Sequence, residues 1–324
     1  MKRYWMYLLC SLMAISMLAC AGGAGVKRVE VRKDSHIFAI KGSDTLSLDR
    51  YELPANPSDG KRPVMIFAFG GGFRGGDRAD NGYIQYFEFL ARNGFVVVSV
   101  DYRTALKDLD ASMVSSPEGF VAKLQEAIDI AVEDLYDATT FVVNKAEDWS
   151  VDATKVMASG SSAGAITVLQ AEYYICNGHP LAGRLPDGFN YAGVISYAGA
   201  VADVVAPRWA KAPCPMMLFH GDADRIVPFD KAAMDGLGGL WGSASIVRSL
   251  DSLKCPYAFY VVENADHEIS GVPMSRNLYD IIGFLSRQAL GKESISLNVV
   301  EAQPGDSAVR KDFTVQDYIK NNLP

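Results

Sequence analysis

Apolar and polar positions alternate along this chain with two different periods. Continuous apolar runs occur at residues 64–69, 95–100, 192–197, 215–220 and 257–262, and a sixth ends at Gly160. Each is short and bounded by Gly, Pro or Asn, the pattern of a strand covered on both faces. Between them, apolar residues recur at helical spacing: Phe87, Leu90 and Ala91; Phe120, Leu124, Ile128, Ala131, Val132 and Leu135; Ile166, Val168, Leu169 and Tyr173; Tyr279, Ile282, Phe284, Leu285 and Leu290. Residues 231–253 read as one more helix, interrupted by Gly236, Gly238, Gly239 and Gly242. Residues 36–40 and 45–51 alternate strictly and predict an antiparallel hairpin. Two hairpin strands and six buried runs make a mostly parallel, eight-stranded sheet with helices on both faces. The expected class is α/β, in one domain over residues 21–290, with residues 291–324 a polar appendage left unassigned.

At 324 residues and 49% hydrophobic composition the chain has ample material for a large core. Its formal charge is −7, and no basic cluster interrupts the acidic balance. That argues against nucleic acid and anionic membrane surfaces as partners, which both require Lys/Arg patches. Residues 1–20 read as a leader: Met1-Lys2-Arg3, then an apolar stretch too short to span a bilayer, then Met17-Leu18-Ala19-Cys20. This resembles a bacterial lipobox, with Cys20 as the lipid-bearing first mature residue, although Met17 departs from the usual Leu. Ordinary cleavage at Ala19-Cys20-Ala21 also fits. Either way the expected location is exported, periplasmic or anchored at the cell surface, and loss of Lys2 and Arg3 moves the charge from −7 to −9. Of five cysteines, Cys10 and Cys20 belong to this leader. Cys214 and Cys255 each precede a strand-like run, so they are either a bridge at one sheet end or buried thiols.

The candidate chemistry begins where the run ending at Gly160 meets the helix after Ala163. There the chain reads Gly160-Ser161-Ser162-Ala163-Gly164. A strand-to-helix turn this tight strains the backbone at Ser162, and the flanking glycines leave room around it. The hydroxyl then stands clear of the sheet, with the Ala163 N–H at a helix N-terminus beside it. A second glycine cluster, Gly70 to Gly76, follows the 64–69 run. Its Gly70-x-Gly72-x-x-Gly75 spacing matches a dinucleotide fingerprint, but that motif requires a helix opening directly on the glycines. Helical spacing here starts only near Tyr83. The competing reading is a loop of bare backbone N–H groups facing a developing oxyanion.

Gly160-x-Ser162-x-Gly164 resembles the nucleophile elbow of the α/β-hydrolases, in which Ser is followed in the chain by Asp or Glu and then by His. Of four histidines only His267 follows the acidic candidates. The acid is Asp224 or Asp222, and His220-Gly221-x-x-Asp224-x-x-Val227-Pro228 looks like the acid loop of α/β-hydrolase esterases, which favours Asp224. Further likenesses occur in the expected order. Leu46-x-Leu48-Asp49-x-Tyr51 looks like the second strand of that family. Phe69-Gly70-Gly71-Gly72-Phe73 is similar to its His-Gly-Gly-Gly strip, with Phe69 in place of His, and Asp101-Tyr102-Arg103 matches its Asp-Tyr-Arg.

The resemblance covers residues 45–290 and implies a minimal-lid serine esterase of the carboxylesterase and hormone-sensitive-lipase-like group. It implies Ser162 as nucleophile, His267 as base, Asp224 as acid, and the amides of Gly71, Gly72 and Ala163 as the oxyanion hole. It implies no metal or organic cofactor, and small-molecule or carbohydrate-linked acyl esters as substrates. A serine peptidase of the same fold would share the triad but typically carries a propeller or large cap. A non-catalytic binding module would be expected to have lost a triad member.

Overall fold

The computed structural model describes residues 29–54, 60–109, 113–114, 116–234, 236–302 and 310–322. The leader, with Cys10 and Cys20, lies outside them. Contacts divide the chain into Met1–Glu30, of which only residues 29 and 30 are described, and Val31–Pro324. No described helix is long and apolar enough to cross a membrane.

Strands β1 (Arg32–Lys41) and β2 (Asp44–Glu52) form the expected hairpin. β3 (Arg62–Ala68), β4 (Val96–Val100), β5 (Val151–Ser161) and β6 (Gly193–Tyr197) follow, then β7 (Ala200–Asp203), β8 (Met216–Gly221), β9 (Lys231–Met234) and β10 (Gly238–Gly242). β11 (Tyr257–Val262) and β12 (Ser296–Glu301) complete the set. Nine of them make one sheet in the order β1-β2-β4-β3-β5-β6-β8-β11-β12, parallel from β4 to β12. The branched side chains of β4 are buried along its whole length, which stabilises extended backbone in the sheet interior.

The helices are α1 (Asn81–Arg92), α2 (Pro117–Asn144), α3 (Ala163–Asn177), α4 (Ser243–Ser252), α5 (Pro273–Arg276), α6 (Leu278–Phe284) and α7 (Val315–Asn322). α1 starts where the Asp80 side chain accepts the Gly82 N–H at 2.7 Å. α2 starts at a Ser116 cap followed by Pro117 at the first helical position. α1 packs with α5 and α6, and α2 packs with α3. From β3 the chain moves to β4 on one side and then crosses to β5 on the other, so sheet order reverses between β3 and β5. In such sheets the crevice beyond the strand C-termini at the reversal is where ligands sit.

Two expectations are corrected. Among the described residues the sheet has nine strands, because Ser296–Glu301 from the unassigned appendage pairs in parallel with β11, from Tyr257↔Ser296 to Val262↔Glu301. Nearly all of β12 is exposed, so it carries no apolar run to mark it. Residues 231–253 are not one helix. β9 and β10 form a hairpin that pairs with β7 in a small antiparallel sheet, and α4 starts only at Ser243. Gly238 and Gly239 take φ of +93° and +149°, and a side chain at Gly239 would collide with Ala232 of the facing strand. Glycines that looked like helix interruptions are the means by which two strands close on each other. Cys176, Cys214 and Cys255 are buried, unbridged thiols.

Candidate active site

The elbow is built by exclusion of side chains. Ser162 has φ +52° and ψ −117°, a conformation that non-glycine residues rarely hold. Its N–H is fixed by the Tyr197 carbonyl and its own carbonyl accepts from Ile166, both at 2.9 Å. A β-carbon at Gly164 would lie 2.5 Å from the Phe69 carbonyl oxygen, and one at Gly160 would lie 2.7 Å from the Ala165 nitrogen. Only glycine at both positions lets α3 rise directly off β5 against the end of β3. The neighbouring Ser161 hydroxyl donates to the Ser270 carbonyl at 2.8 Å, tying the elbow to the chain just past His267.

Ser162 follows β5, Asp224 follows β8 and His267 follows β11, all just beyond the C-termini of parallel strands of the one sheet. His267 Nε2 lies 2.8 Å from Ser162 Oγ, and His267 Nδ1 lies 2.7 Å from Asp224 Oδ2. The other Asp224 oxygen accepts the N–H groups of Ile226 and Val227 at 2.8 and 2.9 Å. Burial alone would raise the Asp224 carboxyl. Hydrogen bonds from His220 and His267 reverse that and hold it well below the usual carboxylate range. A carboxylate only accepts, so Nδ1 of His267 carries a hydrogen and Nε2 of the neutral ring presents its lone pair to the serine hydroxyl. That is the arrangement for removing a proton from Ser162.

Asp222, the alternative acid, is engaged elsewhere. It accepts the Asn264 N–H at 2.7 Å and pairs with Lys311 at 2.6 Å. The acid loop and the histidine loop are further cross-linked: Ala223 N–H donates to Ala265 O at 3.1 Å, and Arg225 N–H donates to Asp266 Oδ1 at 2.8 Å. Asp266 also accepts the His267 N–H at 2.8 Å, so the loop holding the imidazole is fixed on both sides. From the far end of the chain, Asn321 and Asn322 in α7 donate to the carbonyls of Arg225 and Ile226 at 2.5 and 3.0 Å.

The glycine strip lies against the elbow, because a β-carbon at Gly70 would be 3.3 Å from Ser162 Cβ. Gly71 and Gly72 take φ of +142° and +63°. Among the described residues, the N–H groups of Gly71, Gly72 and Ala163 donate to no protein acceptor, which leaves them available to a ligand. α1 begins ten residues beyond Gly71, at Asn81, so no helix N-terminus opens on the strip and the dinucleotide geometry is missing. Phe69, where the resemblance has His, stacks on Tyr102 with ring centroids 4.4 Å apart. The Tyr102 hydroxyl donates to the Phe69 carbonyl at 2.8 Å, and burial keeps that hydroxyl protonated by pushing its pKa up. Tyr83 accepts the Gly70 N–H at 3.2 Å. Tyr102 and Tyr83 therefore anchor the strip. The sequence assigned no role to Tyr83 or Asp266, while Tyr102 carried a signal within Asp101-Tyr102-Arg103 and His220 was considered only as a base. No three His, Cys, Asp or Glu side chains among the described residues are grouped to hold a metal ion.

Comparison with known proteins agrees with this architecture. Residues 24–171 match the model of the carboxylesterase family. The chain is similar to the fumonisin B1 esterase of Sphingopyxis macrogoltabida, 32% identical over 117 residues, covering 35% of this chain and 20% of that protein. It thus spans about one fifth of the length of that relative. Among solved structures it is similar to esterase 2 of Thermogutta terrifontis phosphoramylated by tabun, with a TM-score of 0.56, 18% identity, and coverage of 79% of this chain and 94% of that one. The propionate-bound form of the same thermophilic esterase gives a TM-score of 0.56 and 18% identity, over 80% and 94% of the two chains.

Proposed function

We propose that this chain, whose fold is that of the α/β-hydrolases, is an exported serine esterase that cleaves carboxylic esters of short or carbohydrate-linked acyl groups. The observation that carries the reading is the unbroken hydrogen-bonded chain Asp224–His267–Ser162, with links of 2.7 and 2.8 Å. In the proposed reaction the Ser162 hydroxyl oxygen attacks the ester carbonyl carbon while His267 Nε2 takes its proton. The negative carbonyl oxygen is held by the amides of Gly71, Gly72 and Ala163. Collapse of this intermediate breaks the bond to the alcohol, which leaves with the proton from His267. Water then attacks the acyl-enzyme, delivers a proton to His267 and releases the carboxylic acid, and the proton returns to Ser162.

Short acyl groups are favoured by analogy with the Thermogutta esterase, whose propionate- and butyrate-bound forms share the fold. Export and lipid anchoring rest on Met1-Lys2-Arg3 and the lipobox-like approach to Cys20. The experiment is hydrolysis of p-nitrophenyl acetate, butyrate and decanoate by the mature protein and by Ser162→Ala. Turnover should decline with acyl length and fall by about six orders of magnitude in the variant. A burst of p-nitrophenol equal to the enzyme concentration marks the acyl-enzyme. Equal activity in Ser162→Ala would overturn the assignment.

A further inference from the structure

The strand leading into the acid loop carries a second imidazole that the hydrolytic chain does not use. His220 is the penultimate residue of β8 and is fully buried. Its Nδ1 lies 2.8 Å from the Ser243 hydroxyl, at the first residue of α4. Its Nε2 lies 3.2 Å from the Val227 carbonyl oxygen and 3.4 Å from Asp224 Oδ2. The ring of Phe229 meets it edge-on, with centroids 5.6 Å apart. A carbonyl and a carboxylate can only accept, so the hydrogen of the neutral ring sits on Nε2. Nδ1 is then the acceptor for the Ser243 hydroxyl. The tautomer is set by its surroundings, and it is the one that points a donor at the acid.

Asp224 Oδ2 thereby faces two imidazole N–H groups, that of His267 at 2.7 Å and that of His220 at 3.4 Å, while Oδ1 holds two backbone amides. A carboxylate turns readily about its Cβ–Cγ bond, and turning would swing Oδ2 away from His267 Nδ1. Donors on both oxygens oppose that rotation. We propose that His220 is a positioning residue of the hydrolytic chain: its Nε2–H, shared between Val227 O and Asp224 Oδ2, fixes the carboxylate plane that keeps His267 turned toward Ser162. Its action depends on where a donor sits and requires no change in the charge of His220.

This inference rests on the serine esterase reading, and the test separates the two. A Gln side chain at 220 places its amide nitrogen near the position of Nε2, and an Asn places it near Nδ1. His220→Gln therefore keeps a donor toward Asp224, whereas His220→Asn keeps a polar partner for Ser243 alone. With p-nitrophenyl acetate, His220→Asn should lose on the order of tenfold to a hundredfold in kcat at unchanged KM, well short of the ~10⁴ that follows loss of a correct triad acid. His220→Gln should stay within a few-fold of the starting protein. Both variants are polar and smaller than His, and circular dichroism checks that each is folded. Equal kcat in His220→Gln and His220→Asn, whether both unchanged or both reduced, would overturn the positioning role. Wild-type activity that survives Ser162→Ala would instead overturn the esterase reading, independently of His220.

Discussion

Gly164→Ala is the sharpest test of how the elbow is built. The added methyl would fall inside the contact radius of the Ala68 carbonyl oxygen, 2.5 Å from the Ala68 carbonyl carbon and 2.5 Å from the Phe69 oxygen. All three atoms are backbone. Ala68 is the last residue of β3 and pairs with Val100 on one side and Gly160 on the other, so it has nowhere to move. A carbon and an oxygen need more than 3 Å, so the start of α3 must shift by roughly 1 Å away from β3. Overpacking of this kind costs about 1–3 kcal/mol, and backbone against backbone places it at the upper end, near 3 kcal/mol. The same shift moves Ser162 relative to His267 and the glycine strip, and a 1 Å misplacement lowers the rate about a hundredfold. Urea unfolding should show a lower midpoint at unchanged slope, with kcat/KM falling in the fraction that remains folded. Gly283→Ala serves as the control. It lies in α6 with open space at its β-carbon, and should be stabilised by roughly 0.5–1 kcal/mol without change in activity. A Gly164→Ala protein with wild-type midpoint and kcat/KM would refute the account of the elbow.

Two buried carboxyls should give opposite pH signatures. The folded pKa of Asp224 is held below its unfolded value, so its stabilisation is present above about pH 4 and is lost as pH falls through the lower folded value. The stability gap between wild type and Asp224→Asn should shrink as urea midpoints are measured below pH 4. A gap that is constant with pH would contradict the hydrogen bonding described for this acid. Glu172, fully buried in α3 beside Cys214, is raised mainly by burial, so its protonated form is favoured and its contribution is lost as pH rises. Glu172→Gln should therefore raise Tm more at pH 8 than at pH 5, and the reverse order would show that the carboxylate is paired. Tyr318 is buried in α7 against Phe120, and Tyr318→Ala should cost about 3 kcal/mol in a single cooperative transition. A loss under about 0.5 kcal/mol would mean that α7 is not part of the cooperative unit.

The central strands were legible because burial on both faces writes itself as an apolar run, and the elbow because only one Ser in the chain sits between two glycines at that spacing. What escaped was set by contacts distant in sequence. β12 is extended because β11 has a free edge for it, and its exposed side chains record nothing of that pairing. Residues 231–242 were misread because Ala232 and Leu240 fit either period, and glycine punctuates a hairpin as well as a failing helix. Asp222 and Asp224 are alike in local sequence, and what separates them, Lys311 on one and His267 on the other, is 89 and 43 residues away. His220 was weighed only as a base and rejected because it precedes the acid. Its four-residue spacing from Asp224 across a strand end was the available sign that the two meet.

The attachment of α7 to the acid loop bears on the order in which the protein is made. Ser162, Asp224 and His267 leave the ribosome in that sequence, and the loop carrying Asp224 can already bond to the histidine loop through Asp222, Ala223 and Arg225. The carbonyls of Arg225 and Ile226, however, gain their amide donors from residues synthesised 96 positions later. During translation all three residues of the hydrogen-bonded chain are thus present before the support beneath one of them exists. The acid loop receives the last donors to these two carbonyls from a helix that holds none of Ser162, Asp224 and His267.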